Sequence, residues 1–87
     1  LTKKSFDLAF QKMAQAYAIL KSLGHEEGIS KTGLDLGRFL CAAGQRKEGL
    51  AILQRSLEGF QKLGWSREIT GTQAVLEHWS AKAANGA

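Results

Sequence analysis

The chain contains no proline, one cysteine and two histidines among 87 residues. Proline inside a helix costs roughly 3 kcal/mol, so without it nothing rigid interrupts the backbone and the ten glycines must supply the punctuation. The single thiol, Cys41, cannot close an intramolecular disulfide; this fits a reducing compartment, and a cytoplasmic protein is expected. His25 and His78 stand far apart, and with one cysteine they offer no ligand spacing of the kind zinc requires, so neither a metal nor another cofactor is expected. No apolar run approaches the roughly 20 residues that span a bilayer, and no signal peptide is visible, so no membrane partner is expected.

Charge of one sign is also not concentrated anywhere. The net charge is +4 and the pI near 9.5, yet the twelve Lys and Arg residues are scattered from Lys3 to Lys82, with only Lys3-Lys4 and Arg46-Lys47 adjacent. Nucleic-acid binders gather positive charge on one face, because each neutralised phosphate contributes through counterion release. The scatter argues against nucleic acid and leaves a mild preference for acidic partners. With 44% hydrophobic residues the chain makes one small domain, and a domain of this size buries only about 60–65% of the surface its unfolded form exposes.

What is present is helical periodicity. From about residue 4 to 23, Phe6, Ala9, Phe10, Met13, Ala16, Tyr17, Leu20 and Leu23 recur at three- and four-residue steps, and Gly24 follows as a C-cap. Leu8, Ala14, Ala18 and Ile19 lie off that stripe, so this helix carries an apolar surplus. A second helix is expected over about 26–43, with Ile29, Gly33, Leu36, Gly37 and Leu40 on one side and Glu26 and Glu27 at the positive end of the helix dipole. Two interior glycines cost about 1 kcal/mol each relative to alanine, and close approach of a neighbouring helix is the simplest compensation. After the break at Gly44-Gln45, a third helix over about 46–63 carries Leu50, Leu53, Leu57 and Phe60 and closes at Gly64. The fourth, over about 66–83, opens on Ser66 as N-cap with Glu68 in its first turn, and Asn85-Gly86-Ala87 should fray. Connections this short make the helices antiparallel neighbours.

The sequence also partly repeats. Leu23-Gly24-His25 returns as Leu63-Gly64-Trp65, forty residues on, and Ile29, Thr32 and Leu36 return at the same offset as Ile69, Thr72 and Leu76. The second and third helices, with Leu36-Gly37, Leu40, Gly44, Gly49, Leu53, Ser56 and Leu57, resemble a tetratricopeptide repeat, whose paired helices place small residues where they cross. Gly37 matches the family's small residue in the first helix of the pair, while Gly49 and Ser56 stand where alanine is usual in the second. The offset exceeds the family's usual period of about 34 and resembles its long-period variant. The tryptophan or other bulky residue usual early in the first helix is replaced by Gly33, and the usual proline by Gln61.

The resemblance implies an all-α fold of antiparallel helical hairpins stacked as a right-handed tetratricopeptide-like α-solenoid, four helices making about two repeats. By the same alignment the first helix is the back half of an earlier repeat and the fourth the front half of a later one. Carrying Gly33, Gly37 and Leu40 forward by the repeat offset lands on Gln73, Glu77 and Ser80, so the packing face has turned polar and the fourth helix is expected to end an array, at its C-terminal side. With a start at Leu1 and not Met, we expect the chain to be part of a longer protein. The surplus on the first helix then calls for cover, either from upstream repeats or from a second copy packed through Phe6, Phe10, Met13 and Tyr17.

Chemistry offers little. Glu77-His78 with Ser80 contains the letters of an acid, a base and a nucleophile, but on one helix they cannot form the oriented relay such catalysis needs. Gly28-Ile29-Ser30-Lys31-Thr32-Gly33 has the outline of a phosphate loop, but Leu34-Asp35 follow where Lys and Ser or Thr are required, and no strand precedes it. No catalytic residue is assigned and no enzyme is expected. Trp65 reads as an anchor between repeats and Trp79 as a core residue of the last helix.

The resemblance places function on the concave surface lined by the first helix of each pair. Mapped onto this chain, that strip is Lys31, Leu34, Arg38 and Cys41 with Ala74, His78 and Ala81. The expected partner is a protein or peptide, acidic in part, bound by this interaction scaffold. The alternative is a regulatory or sensor end of a larger signalling or transcription-regulating protein, acting on a neighbouring domain; RNA binding ranks below both.

Overall fold

The computed structural model describes residues 3–86, with side chains described from Asp7 to Ala81. It contains four helices: α1 (Lys3–Leu23), α2 (Glu26–Ala42), α3 (Arg46–Leu63) and α4 (Ser66–Gly86). No strand is present among the described residues. The α4 helix continues through Asn85 and Gly86, which were expected to fray.

Each connection is built the same way. Gly24, Gly44 and Gly64 have φ of 66°, 90° and 71°, the left-handed region that only glycine enters without steric cost. At the first, Gly24 N–H donates to Lys21 O at 3.1 Å and His25 N–H to Leu20 O at 3.1 Å, the paired bonds of a Schellman turn. The same pair recurs at Gly44-Gln45 and Gly64-Trp65. The residue after each glycine then starts the next helix: Ile29, Gly49 and Ile69 N–H each donate 2.9 Å to the carbonyl of His25, Gln45 and Trp65. Reversal therefore takes only two or three residues. His25 adds its side chain as the α2 cap, Nδ1 accepting from Gly28 N–H at 2.9 Å.

Successive helices pack on one another, and α2 also approaches α4. The α2–α3 pair is the tightest because its contacts are small residues from both sides. A Cβ on Gly49 would lie 2.5 Å from Cys41 Sγ, 2.8 Å from Gly37 O and 2.9 Å from Cys41 N. A Cβ on Gly37 would meet Leu53 Cγ at 2.6 Å, one on Gly33 the Ser56 hydroxyl, and one on Gly59 the Ser30 hydroxyl. This is the close approach that the interior glycines predicted. Outside it, Arg55 donates two hydrogen bonds to Glu26, Nη1 to Oε1 at 2.8 Å and Nη2 to Oε2 at 3.2 Å, clamping α3 to the first turn of α2.

Apolar burial fills both flanks. Tyr17, Ile29, Leu36 and Leu40 form a cluster with Phe10, Met13, Leu20 and Ile52 half-buried around it. Leu53 is fully buried against Gly37 of α2, Phe60 and Thr72 are fully buried as well, and Phe60 stacks on Trp65 with ring centroids 5.9 Å apart. Tyr17 is thus enclosed by its own chain, with Phe10 and Met13 packed beside it, so the stripe expected to meet a second copy faces inward; Phe6 lies outside the described side chains. The apolar residues α1 leaves open are Leu8, Ile19 and Leu23, at 54%, 59% and 71% exposure. Gln73, Glu77 and Ser80 are exposed along α4.

Two substitutions separate packing from propensity. Gly49→Ala should destabilise by about 1–3 kcal/mol, because its methyl meets backbone that cannot yield, whereas Gly71→Ala, with nothing within 4 Å, should stabilise by about 0.5–1 kcal/mol. Urea denaturation of the two variants checks this, and equal shifts would show that the helices are not in close contact at Gly49. The ion pair carries a pH signature. Glu26 is held below its ordinary pKa, first by the hydrogen bonds from Arg55 and then by the charges of Arg55 and Lys62, against the opposing effect of burial. Since the folded value is the lower one, its stabilisation is present above the unfolded carboxylate value of about 4.3 and is lost as pH falls through the folded value. Thermal melts of Glu26→Gln should lose less stability than the parent over that acid range; parallel curves would assign the acid loss to other carboxylates.

Candidate functional site

Between α2 and α4 runs an open trough of about 680 Å³. Asp35, Arg38, Phe39 and Ala42 line it from α2, at steps of three, four and seven residues from Asp35, which is one face of a helix. Ala74, Val75, His78 and Trp79 line it from α4. Phe39, Val75 and Trp79 are half-buried and make an apolar floor, while Asp35, Arg38, Ala42, Ala74 and His78 are exposed along the rims. His78 and Trp79 meet edge to face with ring centroids 5.1 Å apart. The trough lies between two helices that both pack on α3 and touch each other far less.

Of the strip expected from the sequence, the structure brings Arg38, Ala74 and His78 into this trough. The other four fall elsewhere. Cys41 is buried at 2% exposure, with its sulfur against Gly49, so it belongs to the α2–α3 interface. Lys31 is exposed but engaged, its Nζ 3.1 Å from Glu27 Oε1 and 5.2 Å from the centroid of the Trp65 ring. Leu34 is half-buried and Ala81 exposed, and neither lines the trough. The expected strip on α2 was therefore rotated toward α3, and at 100° per residue the displacement is about 70°. Trp65 does anchor the α3–α4 turn, stacked on Phe60 and under Lys31.

Asp35, Phe39, Ala42, Val75 and Trp79 are the lining residues that sequence reasoning missed. The run Asp35, Arg38, Phe39, Ala42 carries a helix-face spacing, but it alternates charge with apolar groups and so stands out on no hydrophobic stripe. Its aromatic member, beside an acid and a base, was the available signal.

A second hollow of about 590 Å³ on the other flank of α4 is lined by Thr70, Gln73, Ala74, Leu76 and Glu77 and has no aromatic floor. Among the described residues no three of His, Cys, Asp and Glu are grouped so as to hold a metal ion, and no helix is long and apolar enough to cross a membrane. The thiol of Cys41 is pushed up from its ordinary pKa by burial, partly opposed by the charge of Arg46. No protein-family model, no curated protein and no solved structure matches the chain.

The placement of Cys41 is directly measurable. In the folded protein a thiol reagent should modify it slowly, at a rate that rises with urea in step with unfolding, since a buried thiol is protected by structure and by its low thiolate fraction. Immediate modification without denaturant would put the sulfur at the surface.

Proposed function

We propose that this chain is a protein-interaction module that takes a peptide or partner segment in the α2–α4 trough. The observation that carries the reading is the trough itself: an open, aromatic-floored channel between two helices, with charge at its rim. Helical grooves of this kind receive an amphipathic segment by burying its apolar side chains and pairing its polar ones at the edge. Ala42 and Ala74 keep the rims low, so a ligand's side chains can reach Phe39, Val75 and Trp79.

The architecture in which we place it is a right-handed, tetratricopeptide-like solenoid. The α2–α3 hairpin is its complete repeat, α1 the second helix of the preceding one and α4 the first of the next. The small residues at the α2–α3 crossing and the three matching glycine turns support that reading. In it, the exposed Gln73, Glu77 and Ser80 make α4 the solvated last face of the array. A cytoplasmic setting fits the one protected thiol.

The test is selection of binders from a phage-displayed random-peptide library against the whole chain, followed by affinity measurement on Ala74→Trp. An indole at that rim fills the channel, and affinity for the selected peptides should fall about tenfold or more, equivalent to about 1.4 kcal/mol. Failure to select a peptide, or unchanged affinity in Ala74→Trp, would place the function elsewhere.

A further inference from the structure

Asp35 and Arg38 stand one turn apart on the α2 rim of the trough, both exposed. Among the described residues neither side chain makes a hydrogen bond or an ion pair. Two other charged groups of α2 are engaged: Lys31 is held by Glu27 and Trp65, and Glu26 by Arg55. Across the channel α4 contributes no carboxylate and no permanent cation to the lining, only Ala74, Val75, His78 and Trp79. The trough therefore offers a visitor one fixed negative charge and one fixed positive charge, adjacent and unspent, above an apolar floor.

Resting on the proposed use of this trough, we infer that Asp35 and Arg38 are its specificity-determining pair and that its partner is an amphipathic helix carrying one basic and one acidic side chain a turn apart beside its apolar face. Three- and four-residue steps on a partner helix put two side chains about 5–6 Å apart on one face, the same spacing at which Asp35 and Arg38 stand on α2. A base meets Asp35 and an acid meets Arg38, while the apolar side chains settle on Phe39, Val75 and Trp79. Like charge at either position is unfavourable, so the pair rejects uniformly acidic and uniformly basic helices. This narrows the acidic ligand expected from the net charge to one of mixed sign.

Three labelled helical peptides of about 15 residues, four turns, test it. They share one leucine face and differ only in a pair of rim positions four residues apart: Glu with Lys, Glu with Glu, or Lys with Lys. Fluorescence anisotropy against the whole chain should rank the mixed peptide first, by about fivefold over either uniform one, the scale of exposed ion pairs. Asp35→Arg should move the doubly acidic peptide to first place, and Arg38→Asp the doubly basic one. His78 is common to all three proteins and cancels from the comparison. Both variants change exposed side chains, and melting temperatures within a few degrees of the parent's are expected.

A rank order that ignores both reversals overturns the inference. If Ala74→Trp still abolishes peptide binding in that case, the trough remains the binding site and only the charge rule falls. If Ala74→Trp leaves binding intact, or no peptide binds the parent, the trough reading falls with it.

Discussion

Everything in this fold depends on how closely α2 and α3 approach. Gly33, Gly37, Gly49 and Gly59 each leave a space that a neighbouring atom already occupies: the Ser56 hydroxyl, the side chain of Leu53, the sulfur of Cys41 and the Ser30 hydroxyl. Backbones this near each other fix the axial register of the pair, because sliding either helix would bring a side chain where only hydrogen fits. The hydroxyls of Ser30 and Ser56 are buried without hydrogen-bond partners, a cost of about 1–3 kcal/mol for each orphaned group in general. Serine stands there for its size, and Gly59 leaves the room in which Glu26 and Arg55 meet.

The rest of the molecule is hung on that pair by turns that leave no slack. The first three helices are each followed by a left-handed glycine, and the very next residue caps the successor, so the direction of α1 is tied to α2 and that of α4 to α3. Aromatic groups then fill the corners: Tyr17 against the α2–α3 seam, Phe60 under Trp65. The trough follows from this arrangement. Its two walls are both braced on α3, which fixes the charged rim relative to the aromatic floor.

Much of this was legible from residue order. Apolar steps of three and four marked the four helices within a few residues, and glycines in a chain without proline marked the turns. The interior glycines of α2 announced a close neighbour, since nothing local compensates for their helix-weakening effect. The face of α2 that lines the trough was not legible. Placing Cys41 and Lys31 on it required knowing the azimuth at which α3 docks, and a small residue such as cysteine suits a crossing as well as a surface. Leu8 and Ile19 on α1 likewise gave no sign of which of two apolar stripes would turn inward.

By itself the sequence determined that the chain is helical, where each helix reverses and which pair must come closest, because those properties depend on local backbone conformation and on side-chain volume. Only the tertiary structure decided which charges are spent and which are free. Lys31 finds Glu27 on its own helix but also Trp65, well beyond it in the chain, whereas the side chains of Asp35 and Arg38, a turn further along the same helix, make no hydrogen bond or ion pair among the described residues. That difference arises from where α3 and α4 come to rest, a sum of contacts between residues distant in sequence that no local pattern encodes.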